Sequence, residues 1–362
     1  MSKSPENITS FVLFGALGDL SLHKLIPAWY YLERENMLRD ELKILGVARQ
    51  DLTKEQFKKK ILGALNSFVA SEYLDDDVCT KLLGRLDYCC CDLQRPESYP
   101  NLEQSLKGWS KPIAYYLAIS PSLFEQVCDG LNSINILTSL SRIVVEKPIG
   151  YDLESSKEIN SKLLKHFTES QIYRIDHYLG KETVQNLIAL RFANSLFSSQ
   201  WSNKGIESVE ITAAESVGIE DRWGYFDGVG QMKDMVQSHI LQLLCLIAME
   251  PPNRLNDQGI RSEKVKVLES LKPLGKAEIE KNFVTAQYAD GEILGTKVPG
   301  YTNEKNAQNA SETETFVSIK AEIQNWRWSG VPFYLRTGKR MVSKMTQIVV
   351  QFKSDGHYIF DQ

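Results

Sequence analysis

The sequence predicts an α/β domain with a parallel, doubly wound sheet, followed by an α+β domain built on a large, mainly antiparallel sheet. Three observations carry that expectation. Short apolar strands alternate with helix-period segments through the first half. A glycine-bearing turn joins the first strand to the first helix. In the second half, strands follow one another without regular intervening helices.

Residues 10–14 read as a short apolar strand, and Leu22, Leu25, Ile26, Trp29 and Tyr30 recur at helical spacing within 19–37. A second strand at 43–48 precedes Thr53-Lys54-Glu55-Gln56, a capping-box pattern opening a helix with Phe57, Ile61 and Leu65. Further strands are expected at 86–91, 113–119, 142–146 and 171–175, with helices at 122–131 and 153–167. Beyond residue 182, Val184, Leu187, Ile188, Phe192, Leu196 and Phe197 repeat at helical spacing, so a helix opens near Gly180. In the second half, strands are expected at 206–214, 282–288, 315–323 and 347–352, with helices at 228–248 and 259–271. Residues 289–311 are rich in Gly, Pro, Asn and Thr and read as a surface loop. The domain boundary falls near 175–180, giving domains 1–176 and 177–362.

Composition narrows the function classes. At 362 residues, each of two domains is long enough to bury its own core. Hydrophobic residues at 43% and charged residues at 24% describe an ordinary globular chain. A net charge of −4 argues against a general nucleic-acid binder, which would carry a basic excess. No apolar run approaches the roughly 20 residues that span a bilayer. Residues 11–17, short and behind a polar start without basic residues in strength, do not read as a signal peptide. Six cysteines lack any CxxC pairing, and Cys89-Cys90-Cys91 would alternate faces on a strand, so no metal site is expected. They read as reduced thiols of a cytoplasmic protein.

The first strand runs directly into Gly15-Ala16-Leu17-Gly18-Asp19-Leu20-Ser21. Glycines there let backbone approach a pyrophosphate seated at the following helix N-terminus. The pattern is GxxGxxS and an ordinary strand-to-helix turn would also satisfy it. At the end of the second strand stand Arg49 and Gln50 rather than an acid. An arginine there suits a 2′-phosphate, hence NADP, and makes the first domain Rossmann-like.

Residues 174–182, Arg-Ile-Asp-His-Tyr-Leu-Gly-Lys-Glu, gather a carboxylate, an imidazole, a phenol and an ammonium just before a helix start. That placement suits a bound phosphate, or else a solvated loop. Downstream, His239 lies among Ile240, Leu243 and Leu244. A histidine there is most often a core residue. Asp234, five residues earlier, would not share its face on an α-helix, whereas Asp176 could orient the ring.

Several motifs occur in order: Gly15 to Leu20, Glu146-Lys147-Pro148-Ile149-Gly150, residues 174–182, Arg222-Trp223-Gly224-Tyr225-Phe226-Asp227, Asp234-Met235-Val236-Gln237-Ser238-His239, Ala248-Met249-Glu250-Pro251-Pro252, and Val331 to Lys339. Together they closely resemble glucose-6-phosphate dehydrogenase of the bacterial type, across roughly residues 11–352. The resemblance implies oxidation of the C1 hydroxyl of β-D-glucose 6-phosphate, with hydride passing to NADP+, as the first step of the pentose phosphate pathway. It makes His239 the general base and Asp176 its carboxylate partner. His177, Tyr178, Lys181 and Lys344 match groups around the sugar phosphate; Lys147, Glu215, Asp234 and Lys339 match groups holding the hydroxyls. Gly15, Gly18, Asp19, Leu20, Arg49 and Gln50, with Lys147, match cofactor positions. It also implies a homo-oligomer, dimer or tetramer.

The sequence departs from the family pattern at Leu17, where a small or hydroxyl residue is usual, and at Ser238, where asparagine is usual. It also stops earlier than family members do, so the C-terminal part of the second domain is expected to be missing. Apolar sheet surface and an unpaired edge are then expected to be exposed. An inactive remnant or ligand-binding pseudoenzyme is the alternative reading on that ground.

Overall fold

The computed structural model describes residues 8–293, 295–305, 307 and 310–354. The point where the sequence stops therefore lies outside the described residues. The chain forms two units, Met1–Ile175 and Asp176–Gln362.

In the first unit, β1 (Ser10–Phe14), β2 (Lys43–Ala48), β3 (Leu86–Cys90), β4 (Ile113–Leu117), β5 (Arg142–Val145) and β6 (Ile172–Arg174) form one sheet. Its order is β3-β2-β1-β4-β5-β6 and every pair is parallel. The order reverses between β1 and β4, which opens a crevice at the carboxyl ends of those strands. Around it lie α1 (Ile26–Arg34), α2 (Lys54–Phe68), α3 (Asp76–Arg85), α4 (Tyr99–Ser105), α5 (Phe124–Ser133) and α6 (Leu153–Leu164). Parallel strands bury both faces. Val12 and Phe14 accordingly join one apolar cluster while Leu13 joins the other. The capping box at α2 forms as expected: Gln56 N donates to Thr53 Oγ1 at 3.2 Å, and Thr53 N donates to Gln56 Oε1 at 2.9 Å. Helices α3 and α4 have no counterpart in the sequence expectation.

The second unit holds β7 (Ile206–Ala214), β8 (Phe283–Ala286), a hairpin of β9 (Gly291–Ile293) and β10 (Thr296–Val298), β11 (Phe316–Glu322), β12 (Pro332–Gly338) and β13 (Met345–Phe352). The main sheet has the order β13-β7-β12-β11-β8. It is antiparallel except where β12 pairs with β7 in parallel. The hairpin occupies part of the expected surface loop, and β12 is a strand the sequence reading left out.

Its helices are α7 (Glu182–Phe192), α8 (Ser195–Ser198), α9 (Trp223–Phe226), α10 (Leu241–Ala248), α11 (Asp257–Glu269) and α12 (Lys276–Asn282). Val209, Ile211, Phe333 and Leu335 of the sheet share a core with Val236, Ile240, Leu243 and Leu244. The helix expected across 228–248 is two pieces: α10 is preceded by a π-helical segment, Met232–Ile240.

The far end of α10 is closed by side chains. Arg191 Nη1 donates to Leu246 O at 2.6 Å and its Nη2 to Met249 O at 2.8 Å. Trp201 Nε1 donates to Ile247 O and Trp328 Nε1 to Ala248 O, both at 2.8 Å. Four consecutive carbonyls that a buried helix end would orphan are thus satisfied.

Candidate active site

The dinucleotide turn is a product of backbone geometry. Gly15 follows β1 at φ +78°, and a Cβ there would stand 2.3 Å from Ala118 O, just past β4. No other residue fits that approach. Gly15 N and Ala16 N both donate to Val47 O, at 3.0 and 3.1 Å, tying the turn to the end of β2. Gly18 N and Ser21 Oγ both reach back to Gly15 O, at 2.9 and 2.8 Å. The result is a cleft of about 400 Å³ lined by Gly15, Gly18, Ala48, Arg49, Gln50 and Ile119, with Leu17 and Cys91 also on its wall. Asp19 and Leu20 start the helix after the turn and are not among the lining residues. The Arg49 side chain is exposed and has no ion-pair or hydrogen-bond partner among the described residues. Glycine backbone, a helix start and an unpaired guanidinium on one cleft fit a phosphorylated dinucleotide. Lys147 follows β5 in this same unit.

In the second unit, the nonapeptide delivers its side chains to several partners. Asp176 Oδ1 accepts from His239 Nδ1 at 2.7 Å and from the backbone N–H of Tyr178 at 2.9 Å. Both side chains of the pair are more than nine-tenths buried, at 4% and 8% exposure. The Tyr178 ring stacks on the His239 ring, centroids 4.5 Å apart and planes 23° apart. His177 meets the same imidazole edge-on at 4.5 Å. A carboxylate on Nδ1 and a ring on one face fix both tautomer and orientation of His239.

Lys181 is the residue before α7 and makes no side-chain cap to it. It lies 4.0 Å from the centre of the Tyr178 ring and donates to Thr346 Oγ1 at 2.7 Å. Burial, and then the positive charge of Lys344, hold its pKa below the ordinary lysine value; Glu215 opposes them. Two ammonium groups near enough to influence each other in this way can receive an anion. The Tyr178 phenol is pushed up to about 12, chiefly by burial, then by the charge of Glu215 and, more weakly, of Asp176 and Asp234. It therefore remains a hydrogen-bond donor throughout the physiological range.

Lys339, 5% exposed, donates to Glu215 Oε2 at 2.7 Å. The two residues sit at matching ends of β12 and β7, where Glu215 N donates to Gly338 O and Met341 N to Glu215 O, both at 2.9 Å. Asp234 accepts from Tyr225 Oη at 3.3 Å. The structure corrects one sequence expectation here. In a π-helix each N–H reaches five residues back, so residues five apart lie nearly one above the other. Asp234 and His239 therefore share a side of the segment, which α-helical spacing denied them. The structure thus brings together Asp176, His177, Tyr178, Lys181, Glu215, Asp234, His239, Lys339 and Lys344 in one unit.

Thr346 and Tyr225 were missed from sequence. No local signal marks a threonine on a strand, but the Trp-Gly-Tyr run of residues 223–225, so close to Asp234, could have pointed to Tyr225. Asp176, His177 and His239 also offer ligand atoms within 4.8 Å of one another. Asp176 and His239 spend theirs on the hydrogen bond that orients the ring.

Comparison with known proteins follows the two units. Residues 12–186 match the glucose-6-phosphate dehydrogenase NAD binding domain model, and residues 188–362 match the glucose-6-phosphate dehydrogenase C-terminal domain model. The chain belongs to the glucose-6-phosphate dehydrogenase family. It is 48% identical to the glucose-6-phosphate 1-dehydrogenase of Dickeya dadantii over 99% of this chain and 72% of that protein. For the enzyme of Zymomonas mobilis the figures are 47%, 98% and 73%. A solved glucose-6-phosphate dehydrogenase in complex with its substrate glucose-6-phosphate superposes with a TM-score of 0.89, at 34% identity, covering 99% of this chain and 74% of that one. The family's nicotinamide cofactor accords with the cleft at Gly15. No helix among the described residues is long and apolar enough to cross a membrane.

Proposed function

We propose that this chain oxidises the C1 hydroxyl of β-D-glucose 6-phosphate to 6-phosphoglucono-δ-lactone, with NADP+ as the hydride acceptor. The observation that carries the reading is the buried Asp176–His239 pair, at 2.7 Å, in the same unit as the Lys181 and Lys344 ammonium groups. Asp176 holds Nδ1, which leaves His239 Nε2 to take the C1–OH proton. The carboxylate then stabilises the imidazolium as C1 loses its hydride. Lys181, Lys344, His177 and the Tyr178 hydroxyl hold the phosphate. Glu215, Asp234 and Lys339 hold the hydroxyls, fixing the sugar in one pose. The bound dinucleotide supplies the hydride acceptor.

The choice of NADP+ over NAD+ rests on Arg49, with Gln50 beside it. The unpaired guanidinium suits a 2′-phosphate, and no acid stands there to bind a ribose hydroxyl. The same reading places the protein in the cytoplasm as a homo-oligomer, dimer or tetramer, which light scattering of the purified chain tests. For the reaction, purified chain given glucose 6-phosphate and NADP+ is expected to generate reduced nicotinamide, followed by its absorbance. Folded protein that binds NADP+ and yields none would overturn the enzyme reading and leave the pseudoenzyme one.

A further inference from the structure

We propose that Glu314 is a positioning residue for the reaction. It fixes the first turn of the π-helical segment Met232–Ile240 and thereby the placement of Asp234 and His239.

That segment starts without help from its own sequence. Gln231, the residue before it, makes no side-chain cap. The first orphan N–H, on Met232, is instead taken by Glu314 Oε1 at 2.8 Å, from a residue 82 positions away. Gln231 N donates to the Glu314 carbonyl at 3.0 Å, so backbone and side chain of one residue hold two successive N–H groups.

The surroundings are built to admit this side chain. Gly230 has φ +70°, and a Cβ there would stand 2.4 Å from Glu314 Oε1. The carboxylate thus occupies the space that any larger residue would need. Gln231 is fully buried, and its Nε2 donates to Thr337 Oγ1 at 2.8 Å, which donates to Ala213 O at 2.7 Å. The segment start is thereby tied to β12 and β7. The next residue along extends the strut: Lys339 N donates to Thr315 O at 2.9 Å. Glu314 and Thr315 therefore link two groups of substrate-facing residues, Asp234 and His239 on one side and Lys339 with Glu215 on the other.

Wide π turns are poorly stabilised by local hydrogen bonding, so their register depends on anchors outside the segment. Without the Glu314 oxygen, the first turn can relax toward α spacing, and Asp234 then rotates away from the side that His239 occupies. A misplacement of about 1 Å at reacting groups costs on the order of 10²-fold in rate.

The proposal rests on the reading of His239 as the base, and the experiment separates the two. Glu314→Ala, Glu314→Asp and Glu314→Gln are compared with the parent chain for kcat, KM and the kinetic isotope effect with glucose 6-phosphate deuterated at C1. Glu314→Gln keeps an acceptor oxygen at the same reach and is expected to retain kcat. Glu314→Ala and Glu314→Asp lose that reach. They are expected to lower kcat by about 10- to 10²-fold and to raise the isotope effect on kcat, because the chemical step becomes slower. Dinucleotide affinity in the first unit should stay unchanged. A loss of folded protein alone would lower the apparent kcat without altering the isotope effect. Folded Ala and Asp variants with parental kcat and isotope effect would overturn the proposal. So would a Gln variant as impaired as Ala, since charge and not reach would then matter. A fully active His239→Asn variant would sink the base reading instead, while leaving the Glu314 comparison to stand or fall on kcat.

Discussion

The dinucleotide cleft of the first unit and the proposed sugar site of the second are made in opposite ways. The cleft is backbone: a glycine at φ +78° with a helix start a few residues on, two N–H groups sharing Val47 O of the neighbouring strand, plus one exposed arginine. The sugar site is side chain: carboxylates, lysines and imidazoles drawn from residues 176–181, 215, 234–239 and 339–346 and locked by ion pairs and ring stacks. A cofactor common to many reactions needs shape and a phosphate grip. A reaction at one carbon of one sugar needs charges at fixed points, and those require long-range support.

If the two regions are independent in this sense, each should fail without disturbing the other. The largest effect is expected from His239→Asn, which removes the proposed base. kcat should fall by about 10² to 10⁴-fold with NADP+ affinity intact. A variant keeping parental kcat would end the assignment. Arg49→Ala should reduce the preference for NADP+ over NAD+ by roughly 10- to 100-fold, the value of a charge-assisted hydrogen bond of about 1.5–3 kcal/mol. Values of kcat/KM for both cofactors read this, and an unchanged ratio would place the 2′-phosphate elsewhere. Gly15→Ala should weaken dinucleotide binding by roughly 10-fold, since left-handed backbone costs a side chain about 1–2 kcal/mol before its clash with Ala118 O. Glucose 6-phosphate binding, followed by ligand-observed NMR, should not change; if it fell too, the two regions would be coupled.

The smallest effect is one of pH. Burial and Lys344 both disfavour the Lys181 ammonium, so Lys181 loses its proton earlier than an ordinary lysine as pH rises. On the proposed role of Lys181, phosphate binding is expected to be lost in that direction, giving kcat/KM an alkaline limb. Lys344→Ala removes one of the two causes and should move that limb to higher pH, though with a raised KM. A limb that stayed put or moved down would show that Lys181 does not set it.

Much of this was legible in the sequence where the signal is local. β1, β2 and β7 fall at the expected residues, and the Thr53 capping box forms as written. β12 was missed although its pattern was readable: Phe333 and Leu335 point inward while Tyr334 and Arg336 point outward. Its opening proline, which cannot donate to a ladder, masks the alternation. The face of Asp234 could not be read at all, because a π turn has no sequence signature and α spacing gives the wrong side. Thr346 and Glu314 escaped for a related reason: their roles depend on partners 165 and 82 residues away. α3 and α4, short and half polar, gave too weak a period to separate from loop.

The four carbonyls closed at the end of α10 by Arg191, Trp201 and Trp328 have a bearing on how this protein comes into being. Those side chains come from positions 46 to 80 residues away on both sides of the helix. A helix finished by such distant groups gains little from forming alone. Its assembly waits on loop closures that bring α7 and the approach to β12 to its tip, and topologies of that kind fold slowly. His239 rides on the turns just before α10, so its placement beside Asp176 depends on the same closures. Mild heating is expected to undo the Asp176–His239 pair before the dinucleotide cleft, read as loss of activity ahead of loss of NADP+ binding.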